Sequence, residues 1–203
     1  MTTSQGSNYA YCRISGTIQT DDSHSGKAAL IRTVGWGSGN TAVGSGGNSG
    51  KTKYTDAGLL HLGATRTIRP EGYSNREGSV ETVDLAPLGI DCSSRPSSMT
   101  FYYKYSPKNS ADRGFAEIRT IDASGNIIAA KSENLTASNE YKELTLTLDY
   151  PSGAEKAAKI YVRFQSTDDR TYLQKNNDNF SGPGFANLSR GTYMGSQLYI
   201  DDI

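Results

Sequence analysis

The stretch Met99-Thr100-Phe101-Tyr102-Tyr103-Lys104-Tyr105 decides the fold. Met99, Phe101, Tyr103 and Tyr105 fall on every second residue, with Thr100, Tyr102 and Lys104 between them. Side chains of an extended strand point alternately to its two faces, so this pattern describes a strand with one buried and one polar face. Glu143–Asp149 repeats it with Leu144, Leu146 and Leu148, and Lys159–Gln165 with Ile160, Val162 and Phe164. Weaker strand patterns lie at 27–34, 58–62, 79–85, 114–122, 126–131 and 196–203. Asp122-Ala-Ser-Gly-Asn126 reads as a hairpin turn, and Gly153–Ala158 as one helical turn. No segment of 12 or more residues carries a 3.6-residue period. The chain is therefore expected to be all-β, with about nine or ten short strands in two packed antiparallel sheets. A jelly-roll β-sandwich is the expected form, built as one domain over 1–203 with its first 20 or so residues loosely attached.

Two long polar segments interrupt the strands. Gly35–Ala57 holds seven glycines between residues 35 and 50, with Trp36 and Tyr54 near its ends. Residues 166–195 are Asn-rich and include Asp168, Asp169, Arg170 and Tyr172. Long loops on a sheet scaffold are where binding residues usually sit.

Composition excludes several functions. The 203 residues carry 21 Lys+Arg against 21 Asp+Glu, whereas nucleic-acid binders need clustered cations to displace counterions from phosphates. Apolar runs are too short to span a membrane. Gly44–Thr52 has the composition of a phosphate-binding loop, but Ser45 stands where the first glycine of that spacing is required. Gly35-Trp-Gly-Ser-Gly39 fits neither the dinucleotide nor the nucleophile-elbow spacing. His24 and His61 lie in no serine, cysteine or zinc signature. Cys12 and Cys92 are read either as one disulfide or as two free thiols.

Sugar binding leaves a different trace: aromatic rings for pyranose faces and polar groups for hydroxyls. Trp36, Tyr54 and Tyr172 supply loop rings. If Phe101, Val162 and Phe164 face the core, then Tyr102, Lys104, Tyr161, Arg163 and Gln165 face outward, and strand 114–122 adds Glu117 and Arg119. Together these describe a polar sheet face suited to an extended ligand, and the even charge balance accommodates a neutral glycan. The same residues would also serve as an ordinary solvated face with cross-strand ion pairs.

Three segments carry a resemblance: His24-Ser-Gly-Lys-Ala-Ala-Leu-Ile-Arg-Thr33, Pro96–Tyr105 and Gly195-Ser-Gln-Leu-Tyr-Ile-Asp-Asp-Ile203, in that order. In this order they resemble the carbohydrate metabolism domain (PCMD) family of secreted and surface proteins of Bacteroidetes. That family is similar to jelly-roll carbohydrate-binding modules and is often labelled as glycoside hydrolases. The resemblance implies a module of a longer polypeptide with other domains, at the cell envelope or secreted, whose partner is a polysaccharide or oligosaccharide. No leader is legible after Met1, which taken alone suggests a cytoplasmic protein or a cropped fragment. The resemblance further implies a structural calcium held by the Asp201 carboxylate and the Lys27 carbonyl, with Asp21 and Asp22 nearby. The expected function is a non-catalytic carbohydrate-binding accessory domain. The alternatives are a glycoside hydrolase with carboxylates among Glu117, Asp168 and Asp169, and an adhesive surface module.

Overall fold

The computed structural model describes residues 2–4, 10–12, 16–37, 52–62, 67–68, 81–82, 89–154, 156–168 and 193–203. Its elements are β1 (Thr2–Ser4), β2 (Ala10–Cys12), β3 (Thr17–Thr20), β4 (Ala28–Gly37), β5 (Thr52–Asp56), β6 (Leu59–Leu62), β7 (Thr67–Ile68) and β8 (Glu81–Thr82). They continue as β9 (Ile90–Asp91), β10 (Ser98–Ser106), β11 (Gly114–Ile121), β12 (Ile127–Leu135), β13 (Ser138–Thr147), β14 (Lys159–Gln165) and β15 (Tyr193–Asp201). No helix occurs among the described residues, and the described residues of the 153–158 segment are not helical, against the helical turn expected there. Pro151, Ser152 and Gly153 turn the chain there instead, with Gly153 at φ 76° and the Ala154 amide bonded to the Pro151 carbonyl.

Eleven strands make two antiparallel sheets. The six-stranded sheet runs β13-β10-β15-β4-β3, with β5 also on β4, and the five-stranded sheet runs β12-β11-β14-β6, with β9 also on β14. β1 pairs β2 and β7 pairs β8 in two further ribbons. From β9 onward the chain repeatedly changes sheet, as expected of a jelly roll. This is the two-sheet sandwich the alternating sequence requires.

The core lies between the sheets. Met99, Phe101, Tyr103 and Tyr105 from β10 meet Ala116 and Ile118 from β11 and Val162 and Phe164 from β14. The Phe101 and Phe164 rings meet edge to face at 4.9 Å, the arrangement that sets the positive ring edge against the negative ring face. Leu146, Leu198, Ile200 and Ile31 complete the layer.

One end of the sandwich is closed by buried polar groups. Asp112 is 1% exposed; its Oδ1 accepts from Thr167 Oγ1 at 2.5 Å and from the Arg113 amide at 2.8 Å, and its Oδ2 accepts from Ser196 Oγ. The Tyr105 hydroxyl donates to the Ser166 carbonyl at 3.0 Å, and burial pushes its pKa far up. Ser166 Oγ accepts from the Gly58 amide at 2.8 Å and bonds Thr33 Oγ1 at 2.9 Å. The network links β4, β10 and β15 of one sheet to Ser166 and Thr167, which directly follow β14 of the other, so it ties the two sheets together. Only glycine fits at Gly58, where a Cβ would stand 2.4 Å from the Arg32 amide nitrogen.

Candidate functional site

The sequence expectation of one polar sheet face is corrected by the topology. Tyr102 and Lys104 stand on β10 of the six-stranded sheet, whereas Glu117, Arg119, Tyr161 and Arg163 stand on β11 and β14 of the five-stranded sheet. Each group faces away from the shared core, so the two lie on opposite outer surfaces of the sandwich. Alternation alone assigns a face to each strand but does not say which strands share a sheet.

On the five-stranded sheet, cross-strand register brings the predicted residues together. Glu117 pairs Arg163, Arg119 pairs Tyr161 and Phe115 pairs Gln165, and Arg163 in turn pairs His61 of β6. Glu117 is the centre of this face. Arg119 Nε and Nη2 reach its Oε1 at 2.7 and 2.6 Å, and Arg163 Nη2 stands 3.0 Å from its Oε2. The Glu117 side chain is only 7% exposed, against 15% for Arg119 and 21% for Arg163, so the carboxylate forms a floor beneath two guanidinium rims. The Arg163 guanidinium lies 4.8 Å over the Phe115 ring, a cation–π contact that fixes its plane. The Oε2–Nη2 contact is an ion pair by distance but not aligned as a hydrogen bond. Among the described residues, Glu117 Oε2 and Arg163 Nε are buried without a hydrogen-bond partner. Tyr161 packs with Ile121 in a small apolar cluster on the same side, 3% and 0% exposed. Tyr161 is thus a wall of the site rather than an open stacking platform.

The outer face of the six-stranded sheet is organised differently. The 21–27 loop folds over it and engages its side chains. His24 stacks on Tyr102 at 3.8 Å with the rings 8° from parallel, and its Nδ1 is 2.9 Å from Asp202 Oδ2. The Tyr102 hydroxyl donates to Glu143 Oε2 at 2.6 Å, and the Tyr141 hydroxyl donates to the Asp22 carbonyl at 2.7 Å. Lys104 pairs with Asp22 and lies against the Tyr199 and Tyr141 rings at 4.3 and 5.3 Å. Burial raises the Tyr141 and Tyr199 pKa values, and the nearby Asp22 charge adds to both shifts. Beside them Arg32 is 2% exposed, and burial lowers its pKa to about 10. The sequence reading missed the partnership of His24 with Tyr102, because neither spacing nor alternation marks a loop residue that folds back on a strand.

The corner assigned to calcium can be tested on its donors. Asp201 is 6% exposed, with Oδ2 accepting from the Ser25 amide at 2.8 Å and Oδ1 from the Asp202 amide at 3.0 Å. Asp21 pairs with Lys27, Asp22 with Lys104 and Asp202 with His24. A calcium ion takes six to eight oxygens, whereas these carboxylates already have amide or cationic partners. No group of three or more His, Cys, Asp or Glu with metal-site geometry occurs among the described residues. As built, the corner does not fit a calcium ion, and Asp201 acts as an acceptor that pins the loop.

The expected loop rings are only partly placed. Trp36 and Tyr54 belong to strands rather than to one long loop: β4 continues to Gly37, β5 begins at Thr52, and Trp36 is in register with Tyr54. Tyr172 and Asp169 lie outside the described residues. Asp168 is exposed where the chain leaves β14, its amide bonded to the Arg113 carbonyl at 2.9 Å. Cys92 is a free thiol, 3.3 Å from Ser94 Oγ.

The fold and site define the class as an all-β, two-sheet antiparallel sandwich with a recessed Arg–Glu–Arg cluster on one outer face. Compared with family models, curated proteins and solved structures, the chain matches none of them.

Proposed function

We propose that this protein is a non-catalytic carbohydrate-binding domain whose site is the outer face of the five-stranded sheet. The observation that carries the reading is the pairing of one buried acceptor, Glu117 Oε2, with one buried donor, Arg163 Nε, both without hydrogen-bond partners among the described residues. Leaving such groups unpaired costs about 1–3 kcal/mol each. A ligand with adjacent hydroxyls, able to donate and accept at once, would satisfy both. The half-buried Phe115 ring supplies apolar surface beside them, as sugar rings require. The resemblance to the PCMD family supports the same reading and an envelope or secreted location. A structural calcium is not part of it, since the Asp201 corner is satisfied by its own amides.

The test is a glycan array with the intact chain, run beside Arg163→Gln and Lys104→Gln. Saccharide binding that weakens at least tenfold in Arg163→Gln and stays within twofold in Lys104→Gln is the expected result. Binding lost in Lys104→Gln and retained in Arg163→Gln would move the site to the other face.

A further inference from the structure

We infer that this protein pairs with a second copy of itself along the free edge of β12, as two antiparallel strands about a two-fold axis at Ser132. The pairing does not depend on the glycan-binding reading and is tested apart from it.

β12 ends the five-stranded sheet, and β11 is its only strand partner among the described residues. The ladder between them is regular from Ala129 to Leu135, a stretch centred on Ser132. Residues 130–134 are all exposed, so this edge is open to a partner. An open edge presents a row of backbone N–H and C=O groups that a further strand can pair.

Side chains decide which strand that is. Lys131 and Glu133 share the parity of Ala129 and Leu135, both of which are buried in the core. They therefore project along the rim between the sheets, and neither has an ion-pair partner among the described residues. Charges placed in this way repel most incoming strands. A second copy is the exception, because a two-fold axis at Ser132 sets Lys131 of each chain opposite Glu133 of the other. Moving the axis by one residue would set lysine against lysine or glutamate against glutamate, and like charges directly opposed destabilise a strand pair. The pattern selects one register as well as one partner.

The other edge strand on this side repeats the pattern. β13 ends the six-stranded sheet, follows β12 after Thr136 and Ala137, and carries exposed Glu140 and Lys142. An axis normal to the sheets brings the two β13 strands toward each other with opposite charges again available. The irregular register of β13 between Ser138 and Lys142 leaves the continuous ladder to β12.

Such an axis keeps each sheet face on its own side of the dimer. Glu117 is in register with Ser132, so the two Glu117 residues would stand three strand spacings apart, about 14 Å. Both candidate sites then open on one surface, where a polymeric ligand would be met twice.

The experiment is sedimentation equilibrium of the intact chain from about 1 to about 200 μM, a range that reaches modest interfaces. The mass should rise from that of one chain toward that of two. Lys131→Glu and Glu133→Lys should each weaken the dimer at least tenfold, and the double variant, which only exchanges the charges, should restore it. Under oxidation Ser132→Cys should give a disulfide-linked dimer well above the level of the unaltered chain, whereas Lys131→Cys should not. These three positions are exposed, and thermal melting checks that each variant is folded. A chain that stays single at every concentration overturns the inference. So does a dimer that ignores both charge reversals, or one that Ser132→Cys does not trap. Should a charge reversal fail to fold, cross-linking at 132 against 131 still decides.

Discussion

The two outer faces of this sandwich use similar residue types to opposite ends. Over the six-stranded sheet, the 21–27 loop brings His24, Asp22 and the Ser25 amide onto Tyr102, Lys104 and Asp201, and these polar groups find partners within the chain. Over the five-stranded sheet, two arginines converge on a single carboxylate, and one buried donor and one buried acceptor lack a hydrogen-bond partner among the described residues. A polar, aromatic sheet face is therefore not evidence of a binding site in itself. What distinguishes the faces is whether the hydrogen-bonding capacity is used internally.

The sharpest way to break this contrast is to remove the shared carboxylate. Glu117→Ala leaves two largely buried guanidiniums facing each other, and breaking a buried pair of this kind costs on the order of 3 kcal/mol. Urea unfolding should show that loss. A change below about 1 kcal/mol would mean that the cluster behaves as an exposed surface pair.

The corresponding change on the other face should cost less. Asp201→Ala leaves the Ser25 and Asp202 amides without their acceptor, worth about 2 kcal/mol across the two bonds, while saccharide binding stays intact. A loss of binding without unfolding would show that the two faces are not independent.

Alkaline titration separates the faces by chemistry rather than by deletion. Tyr141 has its pKa raised above the ordinary 10.0, by burial first and then by Asp22. A raised folded-state pKa means that the stability is fully present below about pH 10 and is lost as pH climbs through the folded value. Tyr141→Phe should therefore lose less stability than the unaltered chain between pH 9 and 11, measured by urea unfolding at each pH. Arg32 acts with the opposite sign, since its lowered pKa relieves a buried cation at high pH, but that contribution is common to both proteins and cancels in the comparison.

The fold was legible because burial writes itself into alternation. The period-two patterns at 99–105, 143–149 and 159–165 lie on β10, on β13 and the residues just after it, and on β14. The hairpin at 122–126 was legible through Gly125, which does take positive φ at 91°, and through Asp122, which accepts from the Ser124 and Asn126 amides. The site was legible in part: Glu117, Arg119, Tyr161 and Arg163 share a face because β11 and β14 are neighbours. What no local pattern could supply was sheet membership. Tyr102 and Lys104 have the same outward parity as Arg163, yet the crossing of the chain between sheets places them on the other surface. Phe115 escaped notice for the same reason, since its role depends on register with β14.

His24 offers a milder test. Its stack on Tyr102 and its pair with Asp202 are both open to solvent, each side chain of the pair being 42% exposed. Exposed pairs contribute well under 1 kcal/mol after screening, so His24→Ala should lower the melting temperature by no more than a few degrees. A larger loss would mean that the loop closes the face more firmly than these contacts account for.

The smallest effect is expected from metal. If the Asp201 corner is complete through its own amides, melting in millimolar calcium and in chelator should agree within about one degree. A ligand that binds only the folded state at a hundred times its dissociation constant stabilises by about 2.7 kcal/mol, so a tight structural ion could not escape this measurement. A rise of several degrees with calcium would show that the ion displaces the Ser25 and Asp202 amides from Asp201. That rise should disappear in Asp201→Asn, whose amide side chain keeps one oxygen acceptor but lacks the charge that a calcium ligand set needs.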